Sequence, residues 1–134
     1  MDEQKTMTSD PASKVETVSV LDSLELKLDN GKKWIAYAET HKGINLMDAI
    51  ISAFKKENKN GYVILGNDLS KHTGYIIENC SMKGEPHNQL HVVLVPMLDE
   101  ISILRDQTNI IDSKKALNKL ERLILAYSKH FKVD

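Results

Sequence analysis

The chain is predicted to be all-α: an up-down-up-down four-helix bundle with an extended N-terminal arm. Three observations predict it. Apolar residues recur at 3- and 4-residue spacing over four separate stretches. Short turn-forming segments separate those stretches. The 134-residue length fits one domain with a real core, and no repeat of 20 to 50 residues divides it.

Residues 1–23 are rich in Ser, Thr, Asp, Glu and Lys and have no apolar segment. They read as a flexible polar leader without a cleavable signal of their own. The bundle unit is expected over 24–134. It opens with Leu24, Leu26 and Leu28 alternating with charged residues, then Asn30-Gly31, a turn signal. A lone strand here would lack a partner, so the segment is expected to be an arm anchored on the bundle by Trp34.

The first helix is expected over 39–57, with Ile44, Met47, Ile51 and Phe54 on one face. Asn58 to Gly61 end it. The second helix, over 62–79, carries Tyr62, Leu65, Leu69, His72, Ile76 and, at its end, Cys80. The third, over 86–105, begins at Pro86, where a missing N–H costs nothing. Its stripe is His87, Leu90, Leu94, Met97, Ile101 and Leu104. Pro96 lies inside the helix and should bend it rather than end it. The fourth, over 112–131, is expected to be capped by Asp112 or Ser113 and carries Leu117, Leu120, Ile124, Tyr127 and Phe131. Gly43, Gly66 and Gly74 fall inside helices at a cost of about 1 kcal/mol each against Ala, and close helix–helix approach is the expected reason.

Composition excludes several function classes. The net charge of −1 gives no field that would draw the chain to nucleic acid. No apolar run approaches a transmembrane span. A single cysteine cannot form an internal disulfide. There is no Gly-rich phosphate loop, no Glu-x-x-His pair of a di-iron bundle and no C-x-x-C-H for covalent haem. Two Phe and one Trp are few to line a haem pocket.

What remains is "NCSMKGEPHNQLH", residues 79 to 91, which joins helices 2 and 3. The bundle topology brings the start of helix 1, this hairpin and the end of helix 4 to one end. Four of the five histidines, His41, His87, His91 and His130, gather there with the sole cysteine. His87 and His91 are i and i+4 and share a helix face. Cys80, Met82, His87 and His91 are therefore the expected metal ligands. Thiolate with thioether favours copper, above all Cu(I); thiolate with imidazole also suits zinc. A structural reading stands beside this one. Cys80 would be a small core residue, Met82 a plug for the bundle end, and the two histidines would cap or pack the hairpin. The chain would then be a structural or protein-interaction helical domain, with Val92, Val95 or Ile103 at a homodimer or partner face. An enzyme is not expected. Cys80 lies at a helix C-terminus, without the N-terminal dipole that activates nucleophilic cysteines, and no third catalytic member is evident.

At these residues the chain resembles a group of small, uncharacterised exported helical-bundle proteins of bacteria. The similar segments are the "LDNGKKW" lead-in, residues 28–34, and a C-[ST]-M-K-G-x-x-H-x-x-L-H hairpin, matched by Cys80, Ser81, Met82, Lys83, Gly84, His87, Leu90 and His91. The resemblance covers roughly residues 24 to 105. It implies that the polar leader follows an export or lipoprotein signal, and hence a periplasmic or cell-envelope location. Without that implication a cytoplasmic location is equally compatible with one reduced cysteine.

Overall fold

The computed structural model describes residues 26–57, 61–106 and 109–133; the leader, 1–23, lies outside them. The elements in chain order are β1 (Trp34–Ile35), α1 (Ala38–Glu57), α2 (Tyr62–Asn79), α3 (Gly84–Asp106), α4 (Ile110–His130) and β2 (Phe131–Lys132). The four helices form an all-α bundle in which each packs along its sequence neighbour, while α1 and α4 meet more sparingly. None of the helices described is long and apolar enough to cross a membrane.

The 3.6-residue periodicity converts directly into burial, because only one face of each helix can be withdrawn from water. Ile44, Met47 and Ile51 of α1, Leu65, Leu69 and Ile76 of α2, Leu90, Leu94, Met97, Ile101 and Leu104 of α3, and Leu117, Leu120, Ile124 and Tyr127 of α4 are all buried. Phe54 is half-buried and packs on Tyr62, with ring centroids 5.1 Å apart. The helix α3 runs unbroken through Pro96. Its ring forfeits one backbone hydrogen bond, but the buried stripe on both sides outweighs that loss.

Three local expectations need correction. The cap of α4 is Asn109, not Asp112 or Ser113: the Asn109 side chain accepts from the Asp112 N–H at 2.8 Å and donates to the Asp112 carboxylate at 2.9 Å. This reciprocal pairing satisfies a backbone donor that the first turn cannot, and it starts the helix two residues early. Ser113 is instead fully buried inside the helix. The arm does have a strand partner. Trp34 and Ile35 pair in parallel with Phe131 and Lys132, and the Ala36 N–H donates to the Lys132 carbonyl at 2.7 Å. Phe131 therefore ends the helical run and enters a strand, still fully buried.

The glycines divide. A Cβ on Gly43 would overlap Ile76 Cγ1, and one on Gly66 would lie 2.8 Å from Arg105 Cγ and 3.0 Å from both the Arg105 backbone N and Leu104 Cβ. These two glycines let α1 approach α2 and α2 approach α3. A Cβ on Gly74 would meet nothing within 4 Å, so close approach does not explain that residue.

Upstream, the arm turns at Asn30-Gly31. Both residues have positive φ, 52° and 84°, and Asp29 and Lys32 exchange backbone hydrogen bonds of 2.8 and 3.0 Å across the turn. Two successive left-handed residues are the signature of a type I′ turn, which Asn-Gly supplies with the least strain. Trp34 Nε1–H donates to the Lys27 carbonyl at 2.7 Å and its ring packs against the core. The anchoring role expected of Trp34 is thus present, with the β1–β2 ladder added to it.

Candidate metal centre

The α2–α3 hairpin owes its shape to its own sequence. Helix α2 stops at Asn79, and Cys80 takes an extended conformation, φ −78° and ψ 116°. Gly84 then adopts a φ of 73°, where a side chain would be strained. The reversal is therefore tight, and it turns the first face of α3 back on the end of α2. Cys80 Sγ lies 3.8 Å from His87 Nδ1. One turn on, the His91 ring stacks obliquely beside His87, with centroids 4.3 Å apart and planes at 51°. Cys80 and His87 are half-buried and His91 is exposed, so the three form a graded path from bundle edge to solvent.

Partial desolvation of its ring, and secondarily the charge of His87, hold the His91 imidazole below its ordinary value. Two neighbouring rings cannot both carry charge comfortably. This favours the neutral form of the His91 imidazole, which is the form that binds metals.

Met82 goes elsewhere. Its side chain is 4% exposed and belongs to the core, and the Thr40 hydroxyl of α1 donates to its sulfur at 3.9 Å. A thioether in an apolar hairpin tip gains more from burial than from solvent contact. To reach an ion beside Cys80 it would have to leave that niche. Among the described residues, no three His, Cys, Asp or Glu side chains stand together as a group that could hold a metal ion.

The other histidines sit apart, each with its own partner or site. His41 Nδ1 is 3.1 Å from the Tyr127 hydroxyl, joining α1 to α4. Burial pushes that hydroxyl's pKa up, and Tyr127 stacks on Phe131 at 5.0 Å. His130 Nδ1–H donates to the Ala126 carbonyl at 2.7 Å, one turn back in its own helix. His72 is half-buried partway along α2. The shared bundle end thus holds two distinct groups, Cys80–His87–His91 on the hairpin and His41–Tyr127 on the α1–α4 seam.

Gln89, absent from the residues expected at this site, lies beside it on α3. It is 4% exposed; its Oε1 accepts from the Lys27 N–H at 2.9 Å and its Nε2 donates to Glu85 Oε2 at 2.8 Å. That hydrogen bond is the first cause of a lowered Glu85 carboxyl pKa. Gln89 therefore fastens the arm to α3 between the two histidines. Its spacing of four from Val93 and eight from Met97 was the available signal, since all three fall on one inward face.

Of the surface residues expected at a partner face, Val95 is 52% exposed, whereas Val92 is half-buried and Ile103 packs on the core. Set against protein-family models, curated proteins and solved structures, the chain matches none of them.

Proposed function

We propose that the chain is a non-enzymatic metal-binding bundle whose site is the α2–α3 hairpin, with Cu(I) the preferred ion and Zn(II) the second. Cys80 and His87 are the ligands already in position; His91 lies beside His87 on the same helix face, outside that pair. One observation carries the reading: the 3.8 Å between Cys80 Sγ and His87 Nδ1. Bond lengths of about 2.3 Å to sulfur and about 2.0–2.1 Å to imidazole nitrogen put two donors of one ion about 3.5–3.8 Å apart, for angles from tetrahedral to trigonal. The pair therefore needs little rearrangement to hold an ion between them. A thiolate ligand selects soft ions, and Cu(I) is content with two or three donors. Met82, buried against Thr40, is the fourth ligand the sequence suggested and is left out of this set. A cell-envelope location belongs to the same proposal and is supported by the resemblance of the hairpin and lead-in to exported bacterial proteins.

The test is titration of reduced protein with Cu(I) and Zn(II) against a competing chelator, beside a Cys80→Ala, His87→Ala double variant of unchanged helical content. Tight binding that the variant loses is the expected outcome. Weak binding that the variant keeps would remove the proposal and leave a structural or protein-interaction domain.

A further inference from the structure

We infer that a four-coordinate ion at this hairpin is completed by a second copy of the chain, so that Zn(II) joins two protomers through Cys80 and His87 of each. The inference rests on the metal-binding reading above and adds a partner to it. A structural zinc ion takes four protein ligands. One chain offers a single pair in position, Cys80 and His87, while the Met82 sulfur is turned into the core. Two such pairs make the S2N2 set that zinc holds tetrahedrally. The pair sits at the surface edge of the bundle, with His91 exposed beside it, so a second copy can reach it.

The surface next to the pair suits a copy of itself. His91, Val95 and Leu98 lie at i, i+4 and i+7 and share one stripe of α3. Val95 is 52% and Leu98 36% exposed, and on α2 Ile77, one turn before Cys80, is 47% exposed. An isologous contact would lay this stripe against its own equivalent, with the ion on the two-fold axis. These three aliphatic residues expose a few hundred Å2 at most, against the ~800 Å2 that each partner of a stable interface buries. The patch alone is therefore too small to hold a dimer. The ion supplies the remaining affinity, and dimerisation becomes zinc-dependent.

The experiment is sedimentation velocity of the reduced full chain with and without Zn(II), with bound metal quantified in the same samples and Cu(I) run in parallel. The expected result is a monomer without metal and a dimer with one Zn(II) per two chains. Cu(I), satisfied by fewer donors, should load at one ion per chain without changing the mass. Val95→Asp keeps every ligand and changes an exposed residue; it should leave the protein folded, monomeric in Zn(II), and at least tenfold weaker for zinc. Zinc bound at one per chain by a monomer overturns the inference and leaves the metal reading standing. So does Cu(I) binding without Zn(II) binding. A dimer that forms equally without metal also overturns it. Absence of binding by either ion overturns the inference and the metal reading together.

Discussion

The two glycines of α2 offer a paired experiment in which one chemical change has opposite outcomes. Gly66→Ala and Gly74→Ala each add one methyl group to the same helix. Each also gains about 1 kcal/mol of helix propensity, mostly by restricting the unfolded chain. At Gly74 the new methyl meets nothing within 4 Å, so the gain is kept. At Gly66 it arrives 3.0 Å from the Arg105 backbone N and from Cβ of Leu104, a residue with 0% exposure. Neither atom is the loose end of a side chain. The α2 and α3 axes must separate by some tenths of an ångström, and overpacking of this kind costs about 1–3 kcal/mol. Gly66→Ala should therefore lose about 1 kcal/mol net, while Gly74→Ala gains somewhat under 1 kcal/mol, a gap of about 2 kcal/mol. Urea unfolding followed by far-UV circular dichroism would read that gap as about 1 M in midpoint, for a slope of about 2 kcal/mol/M. A Gly66→Ala midpoint equal to or above that of the parent would refute the reasoning, because it would mean that the α2–α3 interface has room to give.

Other perturbations test other contacts. Burial, opposed by Lys119 and aided by Asp99, raises the Glu100 carboxyl pKa, and its Oε1 is buried without a hydrogen-bond partner. With the folded value above the unfolded one, the folded state binds more protons between them, so this group's effect on stability is most favourable in acid and worsens as pH rises through the folded value. Glu100→Gln should be more stable than the parent at neutral pH and lose the advantage near pH 4; equal stability at both pH values would contradict this. Asn109→Ala removes the α4 cap and should cost about 1 kcal/mol in the same unfolding assay, whereas Asp112→Ala should cost less. Gln89→Leu keeps the buried volume but removes the acceptor for the Lys27 N–H, so hydrogen exchange at that amide should speed up while the α3 core amides keep their protection. Unchanged protection at Lys27 would show that the Trp34 contact and the β1–β2 pair hold the arm unaided.

Much of this protein is determined by local sequence. A residue three or four positions away on a helix is always a neighbour, so the stripes of α1 to α4 follow from spacing alone. The Asn30-Gly31 turn and the tight reversal at Gly84 are equally local, since each depends on which residues tolerate positive φ. The proximity of Cys80 and His87 follows from these same features, as the two flank one hairpin. The Asn109 cap was legible too, but Asp112 and Ser113 offered the same chemistry three and four residues later, and preference alone does not choose between adjacent caps.

Tertiary structure decided what depends on surroundings. The strand pair joins Trp34 to Phe131, nearly a hundred residues away, and two residues of ladder leave no periodic trace. Met82 reads equally as a ligand or a core residue; only the niche beside Thr40 places its sulfur. The same holds for Gly66 and Gly74, identical in the sequence and opposite in the fold, because what lies beyond a helix face belongs to the neighbouring helix. Sequence specifies which face each helix hides, but the identity of the atoms it meets there is set when all four faces pack together.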